Sequence, residues 1–395
     1  MNKQRYISSA IIGIALYLIS TGISFVCFSY FNVRQTQNKT YPSIQTSSVS
    51  NGQEHFIIDP LVPRTETCPI NGMMYTKQES EIWAKRRPLA VMIENHAESR
   101  PQSGLSFADV VYEAVAEGGI TRFMGVFYCG IAVRNVNLAP VRSARTFFLP
   151  WVLEYDALYN HVGGAGLCND DTVDDRAKAL CQIEQYKIKD MDQFGISFPT
   201  CFRNYDRLSH PVATEHTMVC SSDKLIKLAA ERGWTNIDAK GISWDKNFTS
   251  WKFKDDTKES DRGSSFSASF VAWKGYEKDY GVQWVYDHTA NIYKRYNGGV
   301  SHLDLETNKQ LTAKVVVILF AKETGPVDDH MHLLYNNIGG GNGLVFQDGK
   351  VQNVNWKKPI RNARTQFFDT NGKEVSINRG QIWIEMLPIG TTVSY

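Results

Sequence analysis

Residues 87–123 read RPLAVMIENHAESRPQSGLSFADVVYEAVAEGGITRF, and the chain goes on through MGVFYCG to APVRSARTFFLPWVLEYDALYNHVGG at 139–164. The reading of this stretch decides the fold. Residues 88–94 are β-rich (LAVMIE) and predict a strand. A polar loop with Pro101 and Gly104 follows. Residues 108–117 and 120–128 read as two strands around Gly118-Gly119, a two-residue hairpin turn. Val-Val-Tyr favours a strand over a helix in the first of them. Pairing Glu117 with Ile120 sets Val115 opposite Arg122. Glu113, Val115, Glu117 and Arg122 would then share one face, with both carboxylates diagonal to the guanidinium.

Further along, Ser143 is placed to cap a helix running to about Tyr155, with Arg145 in its first turn. Pro150 would kink that helix or shift its start. Residues 157–161 predict a short strand that ends at Val162-Gly163-Gly164-Ala165-Gly166. A glycine loop after a strand lets a ligand approach the backbone closely. The G-x-G-x-x-G spacing of dinucleotide sites is absent. Residues 178–191 and 222–233 have helical spacing, and Gly233 fits a C-cap.

Outward from this stretch, the chain has 395 residues, 43% hydrophobic and 21% charged, with a net charge of +2. That length accommodates about two domains. The charge gives no global field for nucleic acid, so no nucleic-acid partner is expected. Residues 7–31 carry no charged side chain and are long enough to cross a bilayer, which takes about 20 apolar residues. Lys3 and Arg5 precede them, which keeps residues 1–6 in the cytoplasm. The run exceeds a signal-peptide core and no small-residue cleavage site follows. The bulky Ser24-Phe25-Val26 before Cys27 argues against a lipoprotein cysteine. The expectation is a single-pass signal anchor with the rest of the chain on the extracytoplasmic side.

Residues 32–55 are a polar stalk. Residues 56–235 form a first, mixed α/β domain, 236–264 a polar linker, and 265–395 a β-rich second domain with segments such as VQWVYD, AKVVVILF and QIWIEML. The fold class is therefore α+β or α/β, preceded by one transmembrane helix. Besides Cys27 the chain has Cys68, Cys129, Cys168, Cys181, Cys201 and Cys220. An even number in an exported chain permits three disulfides, in fifteen possible pairings. Four of these cysteines crowd into 168–220, so at least one bridge is expected there. No Cys-x-x-Cys pair exists, and no metal site is expected.

Arg100, Arg122, Arg142 and Arg145 form a basic group suited to bidentate contact with carboxylate or phosphate. Ser143 at a helix start would add free N–H groups, and Gly163 and Gly164 a close backbone approach. Asp109, Glu113, Glu117 and Asp156 are the acids that could transfer protons or hold a divalent cation. Their alternative is to pair with the arginines. His161, at a strand end before glycines, lies where open α/β sheets place ligands. His96 and His216 are weaker candidates. Asp109, Glu117 and His161 are the catalytic candidates. No nucleophile signature appears: Ser103 and Ser143 lack a local partner, and G-x-S-x-G is absent.

The strings at 87–123, PVRSAR, YDALYNHVGG and EHTMVCSSDKL resemble the YerB-like family of bacterial envelope proteins. VYDHTANIYKRYNGGVSHLDLETNKQL, GLVFQDGK, VNWKK and GQIWIEMLP resemble its second domain. The resemblance covers about residue 63 onward. It implies an extracytoplasmic two-domain protein and no established activity. Many members look like lipoproteins. This chain departs from them in its anchor, and its six outer cysteines are not part of the family pattern.

Three functions follow as expectations. The first is a membrane-anchored envelope protein that binds an anionic cell-wall or lipid-phosphate ligand through Arg100, Arg122, Arg142 and Arg145. The second is a transferase or hydrolase on wall glycan or polyprenyl-phosphate substrates, using Asp109 or Glu117 with Mg²⁺. The third is a protein-interaction module in envelope or spore assembly. No cofactor is expected outside the second, and the sequence names no protein partner.

Overall fold

The computed structural model describes residues 59, 61–264 and 266–395. The expected anchor at 7–31, the stalk at 32–55 and residues 56–58 and 60 of the lead-in lie outside these residues. Among the described residues no helix is long and apolar enough to cross a membrane.

A ten-stranded sheet carries the fold. Its strands, in chain order, are β1 (Leu89–Glu94), β2 (Val110–Glu117), β3 (Ile120–Phe127), β4 (Leu158–His161), β5 (Lys189–Asp192), β6 (Val315–Ala321), β7 (Gly339–Gln347), β8 (Lys350–Lys358), β9 (Gln366–Phe368) and β10 (Ile382–Pro388). In space the order is β9-β8-β7-β6-β10-β2-β3-β1-β4-β5. Both predicted halves of the chain therefore contribute to one sheet. The seam is β10 lying parallel to β2, with Trp383 beside Val111 and Glu385 beside Glu113.

Strands such as VVVILFA at β6 are apolar at nearly every position because the sheet is covered on both faces. One face packs Met92, Tyr112, Met124, Trp151 and Val317. The other packs Val91, Val111, Phe123, Trp284 and Trp383. A smaller sheet of Ser267–Phe270, Val282–Asp287, Ile292–Asn297, Val300–Ser301 and Thr312–Ala313 supplies Trp284 to the second face.

Four helices matter for the site: α1 (Lys77–Trp83), α2 (Leu149–Glu154), α3 (Ala179–Gln185) and α4 (Ser222–Glu231). In α1, Thr76 and Glu79 cap each other reciprocally. In α4, Ser221 caps the start and Gly233 follows the end at φ +75°. The helical spacing at 178–191 yields only α3. Lys187 adopts φ +54°, which ends the helix and lets residues 189–192 join the sheet as β5.

Three sequence expectations are corrected here. The hairpin turns at Gly118-Gly119, both at positive φ, and Glu117 does pair with Ile120. A bulge between Val115 and Glu117 then shifts the ladder, so Arg122 faces Ala114 and Val115 faces Thr121. Glu113 consequently points to the opposite face from Arg122 and pairs with Arg295 at 2.7 Å.

Ser143 caps no helix. Pro150 sets the start of α2 at Leu149, behind a 3₁₀ turn at Thr146–Phe148. Finally, residues 236–264 are not a free tether. Trp244 and Trp251 are buried, Trp251 Nε1 donates to the Thr365 carbonyl at 2.7 Å, and Phe253–Lys254 pairs with Ile377–Asn378. Two large aromatics outweigh the polarity of the residues around them.

All six outer cysteines are bridged: Cys68–Cys129, Cys168–Cys181 and Cys201–Cys220. Two of these bridges fall within 168–220, as that crowding suggested.

Candidate functional site

The carboxyl ends of the parallel strands β1 and β4 are crossed by a strap at 139–145. The Glu94 N–H donates to the Pro140 carbonyl, and the Arg142 N–H donates to the Met92 carbonyl. On the other side, the Val162 N–H donates to the Arg142 carbonyl and the Ala144 N–H to the Gly163 carbonyl. The strap thus lays Arg142, Ser143 and Arg145 over the strand ends, where open sheets place their sites.

Beside it lies a cleft of about 400 Å³. Glu117, Ser143, Arg145, Gly164, Asp170, Thr172, His330 and His332 are among the residues that line it.

Glu117 is the electrostatic centre of this cleft. Its Oε1 accepts from Arg122 Nη2 at 2.7 Å and its Oε2 from Arg145 Nε at 2.8 Å. Arg122 Nη1 donates to the Ser143 carbonyl, and Arg145 Nη1 to the Ala144 carbonyl. Burial alone would raise the Glu117 carboxyl, but Arg122 and then Arg145 outweigh it and pull it down to about 2. Burial, and then Arg122, lowers Arg145 to about 10, so it stays charged at neutral pH.

Two guanidinium groups on one carboxylate leave one positive charge uncompensated. Arg145 Nη2 is where that charge remains available, since it has no hydrogen-bond partner among the described residues.

The opposite wall comes from residues 328–332. His332 Nδ1 meets Asp328 Oδ2 at 2.9 Å, and His330 Nε2 meets Thr172 Oγ1 at 3.3 Å. The Asp174 N–H donates to Asp328 Oδ2, which pins the 170s loop to this wall. Sequence reasoning missed His330, His332 and Thr172. The only signal was the Asp-Asp-His-Met-His run, with nothing nearby in sequence to complete it.

The other predicted residues divide clearly. Gly163 and Gly164 stand at the cleft edge; the Gly163 N–H donates to Asp192 Oδ1, and a side chain on Gly164 would crowd Ala144. Arg142 lies next door, with Nε on Glu94 Oε1 at 2.9 Å and no partner for either Nη among the described residues. Arg100 is elsewhere. It donates to the Asn95 side chain and carbonyl and to the Asp279 carbonyl, over the Tyr280 ring, and ties the two halves of the chain together.

Each of the three catalytic candidates has both of its polar side-chain atoms hydrogen-bonded. His161 is fully buried, with Nδ1 on the Gly163 carbonyl at 2.8 Å and Nε2 on Asp190 at 2.9 Å. Asp109 lines a different cavity. Its two oxygens accept from Asn71 and from the N–H groups of Tyr128, Cys129 and Gly130. Burial pushes its carboxyl up to about 7 against those three N–H groups. Glu117 has both oxygens between arginines. Asp156 pairs with Arg87 and Lys189.

Glu117→Gln should destabilise the fold at neutral pH, since Arg122 and Arg145 would lose their shared counter-charge. A carboxyl lowered in the folded state contributes stability that is present above its unfolded value and is lost as pH falls towards the folded one. The deficit, about 2 kcal/mol after discounting for partial exposure, should shrink between about pH 4.5 and about 2. Denaturation midpoints of the two chains across that window check this. A constant gap would mean the pair contributes nothing.

Two family models match the chain. The model described as the N-terminal domain of a protein of unknown function (DUF3048) covers residues 72–235, and its C-terminal counterpart covers residues 271–384. A protein of Bacillus subtilis (strain 168) named "Putative lipoprotein YerB" is 29% identical over 329 residues, 81% of this chain and 86% of that one.

The chain belongs to the YerB-like family. The crystal structure of YerB from Bacillus subtilis matches with a TM-score of 0.66 at 26% identity, covering 84% of this chain and 100% of that one. The boundary between the two YerB-like sequence domains is not a boundary in the sheet, because β10 sits beside β2.

Proposed function

We propose that this YerB-like chain is an extracytoplasmic envelope protein, held at the membrane, that binds an anionic cell-wall or lipid-phosphate ligand in the Glu117–Arg145 cleft. The observation that carries this reading is Arg145, which lines the cleft with an Nη2 that has no hydrogen-bond partner among the described residues, beside imidazole, hydroxyl and glycine groups and the Asp170 carboxylate. A pre-positioned fork of this kind suits a phosphate or carboxylate.

Three disulfides fit an oxidising compartment. The lipoprotein name of the Bacillus relative and the apolar run at 7–31 both point to the membrane. Binding is favoured over carboxylate-based catalysis because Asp109 and Glu117 line different cavities and have their oxygens engaged.

The test is thermal shift on the full chain in mild detergent, with undecaprenyl phosphate, pyrophosphate and wall-polymer fragments. A ligand at a hundredfold excess over its Kd stabilises by about 2.7 kcal/mol. Arg145→Ala should abolish the shift while leaving Glu117 paired with Arg122. A shift that survives the substitution would place the ligand elsewhere. No shift from any ligand on a folded chain would favour the interaction module, and so would indifference to Arg145→Ala in a functional assay.

A further inference from the structure

On the far side of the strap, a second group of side chains gathers at the end of β1. His96 caps the 3₁₀ turn Ala97–Ser99, which contains Glu98 and follows closely on Glu94 and Asn95. His216 ends another turn, Thr214–His216. The two imidazoles stack at 4.8 Å between centroids and 16° between planes. One nitrogen from each ring and one Glu98 oxygen all lie within 4.8 Å of one another.

We propose that His96, Glu98 and His216 bind a divalent transition-metal ion of the zinc class, with Glu94 as the positioning residue behind His216. This does not rest on the anion-binding reading of the neighbouring cleft.

The argument begins with His216, whose ring is nearly buried. Its Nδ1 is 2.7 Å from Glu94 Oε2, and Glu94 Oε1 is held in turn by Arg142. That contact fixes the proton on Nδ1 and directs the Nε2 lone pair outward, the orientation that a carboxylate imposes on a metal-binding histidine. Among the described residues Nε2 makes no hydrogen bond. Its nearest acidic neighbour, Glu98 Oε2, is 3.8 Å away, too far for a hydrogen bond. A histidine stack held only by packing has no need of such an arrangement.

The turn that carries His96 and Glu98 is braced from behind. Ser99 Oγ donates to the His96 carbonyl, and Arg207 donates to the carbonyls of Ser99 and Pro101. On His96, Nδ1 accepts only the Glu98 N–H at 3.3 Å, a contact weak enough for a metal to replace.

Exposure rises from His216 through His96 to Glu98, so an ion can enter from solvent and Glu98 can close over it. Zinc bonds of about 2.0–2.2 Å place ligand atoms some 3.4 Å apart, so closure needs roughly an ångström of movement, mostly by the exposed Glu98. Glu94 and Glu98 are the charged groups nearest the His216 ring, at 2.7 and 3.8 Å, while the guanidinium groups around them are engaged elsewhere: Arg142 on Glu94, Arg203 on the Thr214 carbonyl and Thr217 Oγ1, and Arg207 on the Ser99 and Pro101 carbonyls. Two imidazoles and one carboxylate form a ligand set that leaves a fourth position open in zinc sites.

The experiment uses the full chain without a histidine tag, in detergent, stripped with EDTA and titrated with Zn²⁺ against a fluorescent zinc indicator. Co²⁺ gives a parallel reading in the visible spectrum. One equivalent is expected to bind. His96→Ala and Glu98→Gln should each weaken it at least tenfold, and Glu94→Gln should weaken it by roughly 10–100-fold through His216.

His96 is only partly buried, so His96→Ala keeps the test decisive even where His216→Ala fails to fold. Equal Zn²⁺ affinity in the wild-type and His96→Ala chains would overturn the proposal. So would the absence of any bound equivalent in the wild type.

Discussion

Arg295→Met is expected to remove about 3–5 kcal/mol of folding stability at neutral pH, because it strands two carboxylates inside the protein. Arg295 is fully buried. Its Nη2 meets Glu113 Oε2 at 2.7 Å, and its Nη1 meets Glu385 Oε1 at 2.9 Å. Its Nε donates to His302 Nδ1, so His302 Nε2 is left to donate to Gln102 Oε1 at 2.6 Å. This agrees with burial, and then Arg295 itself, pushing the imidazole well below its usual range. The Trp383 and Trp284 rings enclose the guanidinium, with centroids 4.8 and 5.2 Å from its carbon.

Methionine replaces the volume but not the charge. Burial, and then Glu113, already hold the Glu385 carboxyl well above its ordinary value. A carboxyl raised in the folded state contributes stability that is present at low pH and lost as pH rises. Without Arg295 the Glu385 carboxyl moves further in that direction. The gap between variant and wild type should therefore be widest near pH 8 and narrow towards pH 5. Denaturant midpoints followed by tryptophan emission at the two pH values measure it. Coincident midpoints at pH 8 would show that the buried charges are dispensable.

The second large effect should come from Cys68→Ser with Cys129→Ser. This bridge spans 61 residues, and the chain-entropy account gives about 4 kcal/mol for a loop of that size. The loops of 13 and 19 residues closed by Cys168–Cys181 and Cys201–Cys220 give about 3 kcal/mol each. The long bridge also anchors a second device. Cys129 is one of the three N–H donors that hold the Asp109 carboxylate, so freeing it loosens that clamp as well. Thermal midpoints of the three double-serine chains give the ranking. A Cys68/Cys129 variant that melts with the wild type, or above the other two, would refute it.

What the sequence made legible was local. Gly118-Gly119 announced a hairpin because no other residues take two successive positive φ angles so readily. Ser221 and Gly233 bracketed α4 for similarly local reasons. What failed depended on distant neighbours. The bulge near Ala116 changes which face Glu113 occupies, and its partner Arg295 comes from the other half of the chain.

The charges of Glu113, Arg295 and Glu385 look like surface charges in the sequence, and only the fold buries them. Of the predicted basic group, Arg122, Arg142 and Arg145 gather around the strap, because strap and hairpin are near in sequence. Arg100 fails because its partners at Asn95 and Asp279 draw it away. The wall with His330 and His332 was out of reach, since nothing local joins it to Arg145.

The place of β10 between β6 and β2 bears on how such a chain is made. During synthesis the β2–β3 hairpin emerges early, while the strand that covers the open side of β2 emerges only after residue 382. Until then β2 presents unpaired backbone along its edge, a surface that invites pairing with other chains. Closure waits on a contact of very long sequence separation, which slows folding. A premature stop upstream of β10 would therefore yield an adhesive fragment rather than a smaller folded protein, and quality control would see it as a substrate.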